Sequence, residues 1–339
     1  MSDDNDIYPE NALILAPLSG FTDIPYRRSA RRHGCHFAFT EMVDAGALAH
    51  GAEKTLRMLD RDENEPWLGV QIVGALPEEI AEAARIVSDR DFNVVDFNLG
   101  CPAPKVARKG EGAALAAKPD DAARAFEALA RNSRHPATAK IRILHPEDPE
   151  PSVELAKKLE NAGAATITVH GRIRSQFYSG NVAHNVIKAI KESVDCQVVA
   201  NGGVTGKKSY DEIRRETNCD TVMLARGAMG NPWIFGELRD QERWNPPTPD
   251  EFADEIKKHI LDMIQRDGPE RGLKKARKVL MDYMRGRGFP RTLKTLVVKI
   301  KDEKDLDMFT DQLRNGPTQG RIASLIKHPE TERRLTLNP

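Results

Sequence analysis

The chain has 339 residues, with 51 Lys/Arg balanced by 51 Asp/Glu, and it contains no apolar run near the roughly 18 residues that a membrane helix needs. Zero net charge by itself argues against bulk attraction to nucleic acid, and four cysteines without a CxxC pair suggest neither a disulfide framework nor a zinc cage. The acidic start, Met1-Ser2-Asp3-Asp4-Asn5-Asp6, lacks the apolar core of a signal segment, so a soluble cytoplasmic protein without membrane or metal is expected, monomeric by default.

In chain order, strand-like runs fall at Ala12–Ala16, Phe37–Glu41, Leu68–Val73, Val94–Asn98, Thr138–Ile143, Thr166–His170, Gln197–Asn201 and Thr221–Ala225. Helix-patterned segments lie between them, such as Pro77–Asp89, Pro119–Asn132, Ser152–Asn161 and Asn185–Ser193. They are long enough for the crossovers that parallel strands require. Eight alternating units predict an α/β TIM barrel. A doubly wound sheet is the alternative, weakened because no GxGxxG follows the first strand. The connector Trp244-Asn245-Pro246-Pro247-Thr248-Pro249 sets a boundary between a barrel domain, 1–243, and a helical domain, 244–339. Thr248, Pro249 and Glu251 read as a capping-box helix start, with the helix running to about Arg266. Further helices are expected to Ile326, broken at Gly268-Pro269, Gly286–Pro290 and Gly316-Pro317. Between residues 257 and 301 fourteen Lys/Arg stand against four acids, so this domain carries a basic surface that the total hides.

The run Val94-Val95-Asp96-Phe97-Asn98-Leu99-Gly100-Cys101-Pro102 is a buried strand that turns sharply to present one thiol. In a parallel barrel the residues just past the strand ends carry the chemistry, which makes Cys101 the first candidate for a working cysteine. Gln71, Asn98, Lys140, Arg142, His170, Asn201 and Arg226 also end strands and would gather at the same mouth. Asn201-Gly202-Gly203 and Ala225-Arg226-Gly227 follow the seventh and eighth strands, the usual phosphate site of such barrels. His33, Cys35 and His36 lack metal-ligand spacing. Arg27, Arg28, Arg31 and Arg32 read as the solvated face of one helix, Cys196 and Cys219 as small apolar filling. Lys105, Arg108 and Lys109 sit directly behind Cys101, as a loop meeting a polyanion would.

These residues resemble the tRNA-dihydrouridine synthases over 13 to about 240. The matching stretches are Leu15-Ala16-Pro17-Leu18-Ser19-Gly20-Phe21-Thr22-Asp23, Thr40-Glu41-Met42, Asn98-Leu99-Gly100-Cys101-Pro102 with Lys105, Lys140-Ile141-Arg142, His170-Gly171-Arg172 with Gln176 and Tyr178, and Arg226-Gly227-Ala228 with Pro232-Trp233. The resemblance implies FMN at the barrel mouth, reduced by NADPH or NADH, and tRNA as the partner. It implies cofactor contacts for Pro17, Leu18, Gln71, Lys140, His170, Asn201, Gly203, Ala225, Arg226 and Gly227, and a place beside the target uracil for Asn98. Gly203 stands where many relatives have aspartate. RNA contacts are expected at Lys105, Arg108, Lys109, Arg142, Arg172, Lys274, Lys275, Arg277 and Lys278.

In uracil, C5=C6 is conjugated to the C4 carbonyl, so hydride from the flavin adds at C6 and a proton must quench C5. A thiol of ordinary pKa near 8.5 is mostly protonated at neutral pH, which makes Cys101 a general acid and not a nucleophile. A stacked or paired uridine must be flipped out to reach the mouth. The rivals are a flavin oxidoreductase acting on free pyrimidines, for which a basic helical domain is superfluous, and a non-catalytic RNA-binding protein. Which uridine is reduced is not legible in the sequence, nor is tRNA distinguished there from ribosomal RNA.

Overall fold

The computed structural model describes residues 6–317. The part of the expected helical stretch beyond 317 lies outside the described residues. The strands β1 (Leu13–Leu15), β2 (Phe37–Asp44), β3 (Leu68–Val73), β4 (Val94–Leu99), β5 (Ala137–Arg142), β6 (Thr166–His170), β7 (Gln197–Asn201) and β8 (Val222–Leu224) form one closed parallel barrel in sequence order. β1 pairs with β8 through Leu13 and Val222, which closes the ring and leaves no open edge. This is the (β/α)8 architecture. β2 runs three residues further than its apolar pattern suggested, with a register shift between Phe39 and Met42. Such an irregularity lets a strand bend and continue past its regular ladder. Tyr8, Phe37, Phe39 and Trp67 pack edge-on and tilted at the amino-terminal ends of the strands, with Tyr8 and Trp67 centroids 5.4 Å apart.

Helices follow strands as the crossovers demand: α1 (Ile24–Arg32), α2 (Pro77–Ser88), α3 (Pro119–Asn132), α4 (Glu150–Asn161), α5 (His184–Lys191) and α6 (Lys207–Thr217), with short turns left unnumbered. The chain then forms α7 (Pro249–Asp267), α8 (Pro269–Met284) and α9 (Glu303–Arg314). The capping box at Thr248 is present. Thr248 Oγ1 accepts from the Glu251 amide at 3.3 Å, and Glu251 Oε2 accepts from the Thr248 amide at 2.8 Å.

Two compact units result. The first takes the described residues up to Thr22, then His36–Val204 and Lys208–Ala225. The second takes Asp23–Cys35, Thr205–Lys207 and the described residues from Arg226 onward, so it begins before the 244–249 connector and includes α1. Its core is built on Trp233, Phe252, Ile256, Ile260, Tyr283 and Phe289. Trp233 stacks on Phe252 at 5.4 Å and Phe252 on Phe289 at 5.6 Å. The buried Arg287 lies over the Trp233 and Phe252 rings and donates to Gly230 O at 2.8 Å.

The arginines of α1 are not a solvated face. Arg27 is buried. Arg28 pairs with Asp262 at 3.2 Å, and Arg32 pairs with Glu255 at 2.7 Å and Asp262 at 2.9 Å. The acids they meet lie on α7, more than two hundred residues along the chain, where no local pattern in α1 could announce them. Ser29 Oγ donates to Glu255 at 2.7 Å, and His33 Nε2 approaches the same carboxylate at 3.0 Å. Burial alone would raise the Glu255 carboxyl, but bonds from His33 and Arg32 overcome it and hold it at about 2.

Candidate active site

The barrel register sets the site. Gln71 lies opposite Asp96, Asp96 opposite Thr138, Asn98 opposite Lys140, Arg142 opposite His170, and His170 opposite Asn201. Polar residues two apart on one strand share a face, so these rows form consecutive layers inside the first unit. At the lowest layer Asp96 Oδ2 accepts from Gln71 Nε2 at 2.7 Å and Oδ1 from Thr138 Oγ1 at 2.7 Å. Gln71 Oε1 then accepts from Asn98 Nδ2 at 2.7 Å. That leaves Asn98 Oδ1 to accept the backbone N–H groups of Gly100 at 3.1 Å and Cys101 at 2.9 Å. One buried carboxylate thereby fixes which way two amides point, and the last amide holds the cysteine loop. Burial, opposed by the bonds from Gln71 and Thr138, raises Asp96 to about 7.

The loop is held from other sides as well. Arg142 Nε donates to Gly100 O at 2.7 Å, and the Ala113 amide donates to Cys101 O at 3.1 Å. Gly112, at φ 60°, passes so close that a Cβ there would stand 2.9 Å from Cys101 O. Cys101 is half-buried, and burial pushes its thiol above the ordinary value, with Arg142 opposing and Glu111 adding to the rise. The thiol is kept protonated at neutral pH.

Lys140 Nζ donates to Asn201 Oδ1 at 3.0 Å, and Asn201 Nδ2 donates to Met223 O at 2.7 Å. Asn201 therefore orients the lysine, with both ends of its amide engaged. Burial and the Arg142 guanidinium lower Lys140 to about 8. His170 is buried, with Arg172 Nη1 3.4 Å from its Nε2. Arg172, expected to meet RNA, is itself buried and donates to Ser179 O at 3.1 Å and Gly180 O at 2.9 Å. Its guanidinium braces the loop after β6. Gly202 and Gly203 take φ 129° and 76°, and a Cβ on Gly202 would stand 3.0 Å from His170 Cδ2, so both need glycine.

Pro17 and Leu18 are half-buried in a turn closed by Phe21 N to Leu18 O at 2.9 Å, and Ala225 is half-buried after β8. Lys105 and Arg108 are exposed behind Cys101, whereas Lys109 pairs with Asp44 at 2.5 Å and approaches Glu111 at 3.7 Å. In the second unit Arg226 is exposed and Gly227 buried. Lys274, Arg277 and Lys278 stand out from α8 opposite its buried Leu273, Ala276 and Leu280, and Lys275 pairs with Asp267 at 2.5 Å. Asp96 and Thr138 were missed as site residues. Their one signal was a carboxylate and a hydroxyl inside otherwise apolar strands.

Among the described residues no helix is long and apolar enough to cross a membrane, and no cluster of three metal-ligating side chains occurs. A closed parallel barrel with charged and amide side chains layered beneath the carboxy-terminal strand ends is the plan of a barrel enzyme. Comparison narrows it. Residues 14–315 match the Dihydrouridine synthase (Dus) family, which extends the likeness well past residue 240. The chain is 34% identical to tRNA-dihydrouridine synthase B of Pasteurella multocida (strain Pm70), over 82% of this chain and 85% of the relative. It is 35% identical to the probable tRNA-dihydrouridine synthase of Rickettsia conorii (strain ATCC VR-613 / Malish 7), over 81% and 84%. The chain belongs to the dihydrouridine synthase family and is an oxidoreductase. The barrel alone is shared with a solved 2-naphthoyl-CoA reductase complex, at a TM-score of 0.55, 10% identity, and 68% and 50% coverage of the two chains.

Proposed function

We propose that this enzyme reduces the C5=C6 bond of uridines in tRNA to dihydrouridine, with FMN bound at the barrel mouth and NADPH, or NADH, as the reductant. The observation that carries the reading is a thiol kept in its acid form, on a loop anchored by Asn98 and Arg142. The relatives named tRNA-dihydrouridine synthase support tRNA as the substrate.

The residues present fit a flavin. The left-handed Gly202-Gly203 turn suits close approach of a phosphate to backbone N–H groups. Lys140, with one ammonium hydrogen on Asn201, has donors to spare for a pyrimidine edge. Gln71, turned by Asp96, would present its carbonyl oxygen on the same side. When bound, FMN supplies the hydride. Cys101 delivers a proton to C5 of the uracil, and burial of the thiol disfavours the thiolate until that moment. Being half-buried, the thiolate then regains its proton from solvent. Lys105 and Arg108, with Lys274, Arg277 and Lys278, would contact phosphates and offset the few kcal/mol needed to flip a uridine.

The visible spectrum of the purified protein tests this, followed anaerobically on adding NADPH and then unmodified bulk tRNA. Flavin bands that bleach with NADPH and return with tRNA are expected, with slow return in Cys101→Ala. A protein that cannot be reconstituted with flavin overturns the reading, and reoxidation by free uracil or orotate without RNA favours a small-pyrimidine reductase.

A further inference from the structure

In the first unit the exposed large apolar side chains are Leu76, Phe177 and Tyr178, at 51%, 46% and 53% exposure. All three lie on loops that follow strands at the carboxy-terminal end of the barrel, after β3 and after β6. Scattered surface apolar residues are ordinary, but their confinement to the rim of one mouth is not.

Phe177 is the most unusual of them. Its backbone sits at φ 48°, ψ −96°, a conformation that a bulky side chain adopts only at a cost of about 1–3 kcal/mol. The loop around it is firmly built. Arg172 holds Ser179 O and Gly180 O, Gln176 Oε1 accepts from the Ile173 amide at 2.9 Å, and Arg142 Nη1 donates to Ile173 O at 3.3 Å. The Arg142 guanidinium also lies 5.5 Å from the Tyr178 ring centre while its Nε holds Gly100, next to Cys101. The same arginine thus fastens the cysteine loop and the aromatic loop. A rigid, strained loop that keeps an apolar ring in water is accounted for when a ligand covers that ring.

Resting on the function proposed above, we infer that Phe177 is a nucleobase-stacking platform on the rim, covering a base that adjoins the flipped uridine in the substrate RNA. A flipped nucleotide leaves its neighbours unstacked, and an aromatic ring replaces the lost stacking whatever the base. Exposed cations fit the same occupant, with Arg174 on this loop and Lys105 behind Cys101.

The test measures the dissociation constant of the flavin-loaded enzyme for unmodified bulk tRNA in wild type, Phe177→Ala, Phe177→Leu, Phe177→Trp and Phe177→Gly. Loss of one stacked base weakens binding by roughly 5- to 100-fold in the alanine variant. Leucine, apolar and similar in reach but without a π face, should fail nearly as badly, and tryptophan should keep wild-type affinity. Glycine adopts φ > 0 freely, so Phe177→Gly should melt at or above the wild-type temperature while binding tRNA poorly, which separates lost stacking from lost folding. If wild type reduces tRNA but the alanine and leucine variants bind within two-fold of it, the platform is overturned alone. If leucine rescues fully, a generic apolar contact replaces stacking. If wild type neither binds nor reduces tRNA, the proposed function falls and takes the platform with it.

Discussion

At the scale of single residues, burial favours the protonated form of both the thiol and the carboxylate beneath it, so both contributions are lost as pH rises. Because burial raises the Cys101 thiol, the tRNA-dependent reoxidation rate should stay flat through neutrality and fall only above about 8.5, the ordinary thiol value. Stopped-flow reoxidation from pH 6 to 10 reads this, and Cys101→Ala should lower the rate by about 10²- to 10⁴-fold. Asp96, raised to about 7, binds its proton more tightly folded than unfolded. Its contribution therefore lowers stability as pH rises from about 4, the ordinary carboxylate value, to about 7. In urea unfolding at pH 5 and pH 8, Asp96→Asn should gain on wild type at the higher pH, and an identical difference at both would show that Asp96 does not titrate as described. The place of Cys101, on a turn just past an apolar strand, was legible in the sequence. The relay below it was not, since Gln71, Asp96, Thr138 and Asn98 meet only through strand register, which no single segment carries. Asn201 illustrates the same limit. A strand-end amide followed by two glycines reads as a phosphate contact, and no local pattern tells that its side chain also bonds Lys140 and Met223.

At the scale of elements, boundaries followed local chemistry closely and long-range partners did not. β3, β6, β7 and α3 lie where apolar runs and periodicity set them, and α7 starts at its capping box. Removing that cap with Thr248→Ala should cost about 1 kcal/mol in equilibrium denaturation. The crossing of α7 and α8 depends on Gly272, where a Cβ would stand 2.7 Å from Met263 O and 2.8 Å from Ile264 Cα. Gly272→Ala must push the two helices apart, and a melting temperature equal to wild type would refute the close crossing. The α1 arginines, by contrast, looked solvated because Glu255 and Asp262 were out of sight. Breaking that cluster with Glu255→Ala takes the acceptor from Ser29 and one partner from the partly exposed Arg32, at an expected cost of about 1–3 kcal/mol. Glu255 is held at about 2, so its stabilisation is complete above the ordinary carboxylate value and is lost as pH falls through about 2.

At the scale of the whole molecule, neutrality in sum conceals a division of labour among cations. Of the basic residues between 257 and 301, Arg287 is buried among aromatic rings and Lys257, Lys275 and Arg285 pair with acids, while Lys274 and Arg277 project from α8. Replacing Lys274 and Arg277 together by alanine should flatten the salt dependence of tRNA binding by about two phosphate contacts, measured as the slope of log Kd against log salt concentration. An unchanged slope would assign RNA binding to another surface. The closure of the barrel and the membership of α1 in the second unit also bear on how the ribosome delivers this protein. β1 emerges first but cannot find its second neighbour until β8 has left the exit tunnel. The arginines of α1 wait longer still, until α7 has been translated. The nascent chain thus carries an unfinished sheet and an unpaired cationic helix through most of its synthesis, and cutting the gene at the 244–249 connector would yield an amino-terminal fragment that holds all eight strands but never gains the acids that α1 pairs with.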